Sequence, residues 1–274
     1  GSEMCIRDSV SYYEWSASMS DSFVKHGSAP GAAAGEATYL RWLREGSAAV
    51  VEVLALDEDA NTLTIEKVDS ARPTVDAARQ AGRELAAIHA MGAAAFGAPA
   101  DGWDGPNFIG TRQQACEPTE RWAEFYVQQR VLPFAEKALK AGNLGGGGMD
   151  VVKQACDALL EEDEDAPLAR IHGDLWAGNL LFGSEGPRFI DPAAHGGHPL
   201  TDIAMLELFG APHYSAIVDG YLDAGGELGR DWQRRIAVHQ LHPLAVHAWT
   251  HGPSYGSALV RAAEETLRVV DSRQ

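Results

Sequence analysis

The 274-residue chain is long enough for one large domain or two modest ones, and its 45% hydrophobic and 22% charged residues are typical of a globular protein. Its 39 acidic and 22 basic side chains give a net charge of −17, which argues against nucleic acid or an anionic membrane as a partner. Three scattered cysteines, Cys5, Cys116 and Cys156, exclude a disulfide framework or a zinc site, and no apolar run reaches the ~20 residues of a membrane helix. We therefore expect a cytoplasmic protein.

The first nine residues, "GSEMCIRDS", show no amphipathic period. The string "MCIRDS" within them is what one frame of a common sequencing-library adapter would encode. We expect residues 1–9 to be a non-native leader and leave them out of the fold prediction.

Strands dominate the pattern before residue 69. An apolar pair precedes Lys25 in the strand-like "SFVKHG", and "EATYLRWLREG" follows as a helix with Gly46 as its cap. "AVVEVLAL" and "TLTIEKV" predict two further strands around a turn.

The pattern becomes helical from Val75 onward. Apolar residues four, three and three positions apart, from Ala81 to Met91, predict one face of a helix. "GAPADGWDGPNFIG" reads as a loop, and "TERWAEFYVQQRVLPF" reads as one helix with Thr119 as its N-cap. Four later helices are predicted at Asp202–Phe209, Tyr214–Ala224, Asp231–Trp249 and Ser257–Val270.

The glycine-rich stretch "NLGGGG", residues 143–148, is predicted to connect two helices. It lacks both the preceding strand and the following Lys-Ser/Thr of a phosphate-binding loop. The order of all these elements predicts an α+β, two-lobed fold. Residues 10–68 would form a small strand-rich N-lobe that binds nucleotide, and residues 69–274 a larger helical C-lobe with a polar loop.

The polar loop of the predicted C-lobe contains the candidate catalytic and metal-binding residues. "HGDLWAGN" places Asp174 and Asn179 five residues apart, the spacing of the Asp and Asn in a kinase catalytic loop, and Asp191 follows in "FIDP". An aspartate can accept a hydroxyl proton, while asparagine and aspartate oxygens are ligands that suit Mg²⁺. His172 more plausibly braces the loop than reacts.

The alternative is that these polar residues only cap and shape turns. Two features favour phosphoryl transfer over it. Asp191 stands at a strand end, and an upstream pair, Lys25 after a strand and Glu36 in the next helix, has the order of the lysine and glutamate that hold nucleotide phosphates. Glu66, Lys67 and Val68 would then offer backbone groups to adenine, although an ordinary strand end is equally compatible with them.

These motifs resemble the fructosamine kinase (ketosamine-3-kinase) family, relatives of aminoglycoside phosphotransferases and choline kinases with a protein-kinase-like fold. The resemblance runs from about Phe23 to the last helix. Its most specific parts are "HGDLWAGN" with its tryptophan and "DPAAHGGHPLTDIAMLELFG". Weaker support comes from "FVKHG", "GEATYLRWL", "AAIHA", "GWDGPNFIG" and "HQLHPLAVHA".

The resemblance implies ATP- and Mg²⁺-dependent phosphorylation of a sugar hydroxyl on a ketosamine such as fructosamine or ribulosamine, free or protein-bound, in deglycation repair. It implies a monomer or weak dimer. The residue roles that it implies are Asp174 as catalytic base, Asn179 and Asp191 as Mg²⁺ ligands, Lys25 and Glu36 as the phosphate clamp, and Glu66, Lys67 and Val68 at the adenine. Trp176, His195 and His198 would lie at the substrate, with a structural role for Trp176 as the alternative, and Asp202 would anchor the catalytic loop.

One departure from the family pattern concerns the loop that covers the phosphates. No glycine lies between Gly1 and Gly27, where "VSYYEWSASMSDS" stands instead, so we expect the first strands and their glycine loop to be lost or replaced. Two rival functions remain open: a kinase of the same fold for an aminoglycoside or amino alcohol, and an inactive nucleotide-binding remnant. The histidines at 239, 242, 247 and 251 are expected in the core or lining the cleft.

Overall fold

The N-terminal lobe is a three-stranded antiparallel sheet with one helix packed on it, in a computed structural model that describes residues 22–162 and 165–271. The strands are β1 (Ser22–His26), β2 (Val53–Asp57) and β3 (Thr62–Glu66), in the order β1-β3-β2, and the helix is α1 (Ala32–Arg44). The expected leader at 1–9, the lost glycine loop and the segment 10–21 of the predicted N-lobe lie outside the described residues.

Side-chain alternation along β1 points Lys25 inward. Lys25 is opposite Leu63 of β3, and it is buried while its neighbours Val24 and His26 are exposed. Strand β2 starts at Val53 instead of Ala49, because the residues before it leave the sheet. The backbone N–H of Val51 donates to the carbonyl of Phe189, which ties this stretch to the C-terminal part of the chain.

Helix α2 (Val75–Ala90) forms where the apolar period predicts it. The Thr74 hydroxyl caps it by accepting the Ala77 N–H at 3.1 Å. The helix packs along α7 (Tyr214–Asp223), and Gly82 and Gly220 make this close approach possible. A Cβ at Gly82 would overlap the Ile217 carbonyl, and one at Gly220 the Arg79 carbonyl.

The region between α2 and residue 140 differs from the prediction in two places. The end of the predicted loop forms the first strand of a hairpin, β4 (Asn107–Ile109), which pairs with β5 (Arg112–Gln114) just after the loop. The predicted single helix is three segments: α3 (Trp122–Phe125), a π-helical turn (Tyr126–Val131) and α4 (Leu132–Lys140). Thr119 is not its cap, since the Thr119 hydroxyl donates to the Arg121 carbonyl. Pro133, which has no N–H to donate, is the second residue after the π-helical turn.

The glycine-rich connection was also predicted too long. Helix α5 (Gly146–Glu161) already includes three of the four glycines in its first turn. Packing of α5 against the last helix outweighs the roughly 1 kcal/mol that each glycine costs a helix relative to alanine.

The central part of the chain consists of short strands around the polar loop. Strand β6 (Ala169–Ile171) pairs with β9 (His195–Gly197), and β7 (Leu180–Gly183) pairs with β8 (Gly186–Phe189). A 3₁₀ turn (Ala177–Asn179) leads into β7. The remaining helices are α6 (Leu200–Leu208), α7, α8 (Trp232–His251) and α9 (Pro253–Asp271), which confirms the four predicted helices within a few residues.

Two apolar cores flank the polar loop. The first joins the N-terminal sheet and α1 to α2, β7, β8, α6 and α7; the second joins α3, α4, α5, α8 and α9. Because the first core crosses the predicted lobe boundary at 68/69, the sheet is held firmly against the polar loop. None of the described helices is both long and apolar enough to cross a bilayer.

Candidate active site

The catalytic loop begins where β6 ends and is fixed by one buried carboxylate. Asp202, in the first turn of α6, is fully buried and accepts the backbone N–H groups of His172 at 2.7 Å and Gly173 at 3.0 Å. Gly173 takes a positive φ of 79°, which lets both N–H groups face the same side chain. The start of a helix is also a favourable place for a carboxylate.

Two further side chains hold Asp202 from behind. His89 of α2 is 3.0 Å from Asp202 Oδ2 through Nε2, and its Nδ1 is 2.9 Å from the Tyr221 hydroxyl of α7. Burial alone would raise the pKa of Asp202, but His89 and the His172 amide lower it below its ordinary value. Asp202 is therefore a charged anchor, and helices α2, α6 and α7 together set the position of the catalytic loop.

His172 joins this loop to the segment that carries Asp191. Its Nε2 donates to the Ile190 carbonyl at 2.9 Å, and its Nδ1 accepts the Asp174 N–H at 3.3 Å. Burial lowers the pKa of His172, so the ring is neutral, with its proton on the nitrogen that faces Ile190. The expectation that His172 braces the loop is confirmed.

The three predicted oxygen-bearing residues meet in one place. The Asn179 amide group donates to the Asp174 carbonyl at 2.8 Å, lies 3.4 Å from the Asp174 carboxylate, and lies 3.4 Å from the Asp191 carbonyl. Asp191 has a φ of 56°, a left-handed conformation that turns its side chain out of the line of the preceding strand. Residues five, twelve and seventeen positions apart thus surround a single small volume.

Lys25 meets this volume from the N-terminal lobe. Its ammonium group contacts Glu36 Oε1 of α1 and lies 2.6 Å from Asp191 Oδ1. Lys25 is 4% exposed, so the contacts are made largely away from water. Burial raises the pKa of Glu36, an effect that Lys25 opposes and Asp191 reinforces. One lysine therefore links residues 11 and 166 positions away.

The environment of Asp174 favours a proton acceptor that works near neutral pH. Burial is the main cause that raises its pKa to about 7, and the carboxylates of Asp191 and Asp202 add to the rise. The hydrogen bond from Asn179 acts in the opposite direction. A carboxylate with a pKa close to the working pH can both take up and release a proton readily.

The predicted adenine segment follows β3 directly. The Glu66 carboxylate is occupied, since it accepts Arg188 Nε at 3.1 Å and the Glu52 N–H at 3.2 Å. Lys67 forms an exposed ion pair with Asp69 at 3.5 Å. Val68 packs near Gly183 of β7. The backbone of this segment and the Val68 side chain are therefore the groups available to contact a nucleotide base.

The two histidines predicted to contact substrate are buried, and both line a small cavity beside Gly173. His195 and His198 are 3% and 1% exposed, and both pack on the aromatic rings of α3: His195 on Phe125 and His198 on Trp122. Burial and nearby arginine charge lower the pKa of each to about 3. Their burial alone gives no support to a direct substrate role, which stays a prediction for both residues.

Trp176, the third residue predicted to contact substrate, stands two residues after Asp174. It is half-buried and lies over Gly178, where any Cβ would displace it. An aromatic series continues from it: Trp176 to Phe209 at 6.4 Å, Phe209 to His247 at 4.7 Å, and His247 to Tyr255 at 5.0 Å between ring centroids. His247 is therefore a candidate functional residue. The sequence placed it only in a group of histidines expected in the core or lining the cleft.

Sequence reasoning also missed His89 and Tyr221. His89 had a detectable signal, because it is a polar residue on the apolar face that Leu85 and Ile88 define. Tyr221 had none, since a tyrosine among apolar helical residues is ordinary.

The sequence of the chain is similar to those of known proteins. The chain matches the sequence profile of the family described as fructosamine kinase over residues 8–269. It is 31% identical, over 76% of its length, to a protein named a probable ketoamine kinase in Synechocystis, and 31% identical, over 69%, to one so named in Escherichia coli O157:H7. The matched parts cover 68% and 62% of those two relatives.

Solved structures agree with the sequence matches. A crystal structure described as a candidate fructosamine-3-kinase from Thermobifida fusca superposes with a TM-score of 0.82 at 39% identity, covering 90% of this chain and 85% of that one. A choline/ethanolamine kinase family protein from Mesorhizobium loti gives 0.55 at 17% identity, covering 91% and 86%. The second likeness is one of fold alone, and together they confirm the two-lobed, protein-kinase-like fold.

Proposed function

This chain belongs to the fructosamine kinase family, and from that premise we propose that it transfers the γ-phosphoryl group of ATP to a sugar hydroxyl of a ketosamine. Fructosamine and ribulosamine, free or attached to protein, are the substrates in view. The observation that carries the proposal is the position of the Lys25 ammonium group between Glu36 and Asp191, with Asp191 joined through Asn179 to Asp174.

The roles of these side chains follow from their charges. Asp174 accepts the proton of the attacking hydroxyl, a role that its pKa of about 7 suits. Lys25 supplies the positive charge for the nucleotide phosphates, and Glu36 holds that ammonium group in place from α1. Asp202 and His172 keep the loop rigid, so that Asp174 needs little rearrangement when the substrate arrives.

The donor set fits Mg²⁺. Asp191 and Asn179 offer hard oxygen atoms, which this ion prefers, and it is commonly held by one or two protein side chains plus phosphate oxygens. Within residues 22–162 and 165–271, no group of three or more His, Cys, Asp or Glu is arranged to hold a metal without other ligands. Bound Mg²⁺ would offset charge on the phosphates; Asn179 and Asp191 are the residues that would hold it.

The aromatic series beside Trp176 supports a sugar as the acceptor. The C–H faces of a sugar ring are apolar, and flat aromatic side chains bury them well while leaving hydroxyl groups free to hydrogen-bond. Trp176 stands two residues after Asp174, so a ring stacked on it would bring a hydroxyl near the proposed base. The names of the relatives as ketoamine kinases point to the same substrate class.

The test is phosphate transfer from radiolabelled ATP to fructosamine and ribulosamine model compounds, with an aminoglycoside and choline in parallel. We expect ketosamine turnover that Asp174→Asn reduces by about 10²–10⁴-fold. Asp219→Asn, at an exposed aspartate paired with Arg79, is the matched control and should keep full activity. Transfer to the aminoglycoside or choline but to neither ketosamine would replace the proposed substrate class.

Nucleotide binding is measured separately, because an inactive remnant would also fail the transfer assay. We expect Mg²⁺–ATP to raise the melting temperature as its concentration passes the Kd. Asp191→Ala should weaken this Mg²⁺-dependent rise. An unchanged melting temperature at millimolar Mg²⁺–ATP would argue against a phosphotransferase of any substrate class.

A further inference from the structure

A small enclosed cavity of about 10 Å³ lies beside Gly173 of the catalytic loop. Its wall combines that loop with β9, the π-helical turn and α8, which contribute His195, Arg130 and His242. A volume of this size holds one body about as large as a water molecule.

Arg130 brings two unsatisfied donors to this cavity. The residue is 1% exposed, and its Nη1 donates to the carbonyls of Ala115 at 2.5 Å and Gln129 at 3.1 Å. Its Nε and Nη2 have no hydrogen-bond acceptor in the part of the chain that the structure describes. Buried N–H groups of a charged side chain are rarely left without a partner, because burying them unpaired is costly.

His242 adds a third unsatisfied atom from another element. It is 3% exposed, and its Nε2 also lacks a partner among the described residues. The Tyr126 hydroxyl accepts its backbone N–H at 3.1 Å and so fixes this part of α8 against the π-helical turn. A neutral imidazole can carry its proton on Nε2 and donate it. Donors from two separate elements therefore line one closed space.

Among residues 22–162 and 165–271, the charge of Arg130 has no carboxylate partner. Burial lowers its pKa, but only to about 10, so the guanidinium is charged at neutral pH. Three groups oppose this decrease in the pKa of Arg130: Cys116, Tyr39 and Tyr126. No carboxylate is among them. Burial raises the pKa of the Cys116 thiol, which leaves that neighbour neutral. A buried cation without an opposite charge is unfavourable.

We propose that this cavity binds one monovalent anion of halide size, which accepts hydrogen bonds from Arg130 and His242. A water molecule would satisfy the donors but leave the charge uncompensated, while phosphate and carboxylate ions exceed the space. The π-helical turn fits this assignment, since such turns often occur where a fold builds a functional site. The site lies outside the phosphoryl-transfer centre and does not depend on the proposed function.

The first experiment compares melting temperatures at fixed pH and ionic strength in sodium chloride, sodium bromide and sodium gluconate. Gluconate is too large for the cavity and serves as the reference anion. We expect a saturable rise of about 2–4 °C with either halide, because an ion that binds only the folded state stabilises it. Equal melting temperatures in chloride and gluconate would overturn the proposal.

The second experiment locates the effect. Arg130→Met should abolish the difference between halide and gluconate, whereas Arg112→Met, which removes an exposed cation near Trp249, should preserve it. A halide effect that survives in Arg130→Met would contradict the assignment.

Crystals of the unaltered protein grown in bromide keep the test independent of how Arg130→Met folds. Anomalous scattering should show bromide inside the cavity within hydrogen-bond distance of Arg130. A cavity that holds water alone under these conditions would show that the proposal is wrong.

Discussion

Lys25 forms an ion pair between the two lobes. Its single positive charge faces the carboxylates of Glu36 and Asp191, and Asp174 adds a third carboxyl group nearby. Burial is the main cause that raises the pKa of both Glu36 and Asp174, and the charge of Asp191 adds to the rise in each. Such a site favours an additional cation, which is a physical reason to expect Mg²⁺ between these residues and the phosphates.

Replacing this ammonium group tests its role directly. We expect Lys25→Met to lower kcat/KM for ATP by at least 10²-fold, because a preorganised charge at the phosphates is lost. Lys67→Met removes a half-exposed lysine of the same lobe and should leave kcat/KM within about twofold. Steady-state kinetics with varied ATP measure both, and equal losses in the two variants would contradict a specific role for Lys25.

Asp202 should contribute more to stability than an exposed aspartate does. Asp202→Asn would remove the charge and replace one of the two acceptor oxygens with an NH₂ donor that faces another N–H group, and we expect a loss of about 3–5 kcal/mol in the free energy of unfolding. Asp223→Asn, at a surface pair with Arg79, should cost less than 1 kcal/mol. Urea denaturation followed by fluorescence gives both values, and similar losses would show that Asp202 does not anchor the loop.

At the scale of elements, the pair α2–α7 determines how His89 and Tyr221 reach Asp202. The two helices approach closely because Gly82 and Gly220 replace side chains at the contact. The Ile217 and Arg79 carbonyls occupy the space that a Cβ would need. The catalytic loop therefore depends on a helix contact that is remote from it in sequence.

A pair of glycine variants separates close packing from helix propensity. Gly82→Ala should destabilise the protein by about 1–3 kcal/mol, because overpacking exceeds the roughly 1 kcal/mol that alanine gains in a helix. Gly147→Ala, in α5 with open space around it, should be neutral or stabilising by up to about 1 kcal/mol. Chemical denaturation measures both changes, and a stabilising Gly82→Ala would contradict the close approach of α2 and α7.

The element-scale predictions failed where the period was interrupted without a sequence signal. The helix predicted from Thr119 continues through Trp122, Tyr126 and Arg130, but the π-helical turn shifts the face that follows. Six residues of π-helix leave the apolar composition unchanged, so periodicity cannot detect them. The hairpin β4–β5 was missed because three-residue strands in a Gly/Pro-rich segment resemble a loop.

At the scale of the whole molecule, the second core encloses several histidines in the neutral state. Burial and neighbouring charge lower the pKa of His195 and His198 to about 3, and they also lower the pKa of His239 and His242 well below its ordinary value. In the unfolded chain these rings have a pKa near 6.5. Below that pH the unfolded state binds protons that the native state does not, so stability is lost as the pH falls.

We therefore expect the free energy of unfolding to decrease between pH 7.5 and pH 5.5. Each buried histidine contributes about 1.4 kcal/mol per pH unit below its unfolded pKa. The raised pKa of Asp174 acts in the opposite sense and offsets one of these protons. Urea denaturation at several pH values measures the slope.

Two histidine-to-asparagine variants test whether this pH dependence of the free energy of unfolding comes from the buried histidines. His198→Asn should reduce it by about one proton while keeping the acceptor for the Leu200 N–H. His213→Asn, at an exposed position, should leave it unchanged. A flat profile between pH 7.5 and 5.5 would show that the histidines do not titrate as their burial implies.

The sequence by itself determined the fold class and most helices, and it supplied the residues that we propose for phosphoryl transfer. Periodicity records burial along one element, and the spacing from Asp174 to Asn179 records a local loop, so both are readable from the chain. Tertiary structure decided which distant groups meet: Lys25 with Asp191, His89 with Asp202, and Arg130 with His242 around a closed cavity. These pairings depend on the packing of separate elements, and such packing does not require a fixed spacing in sequence between the residues that meet.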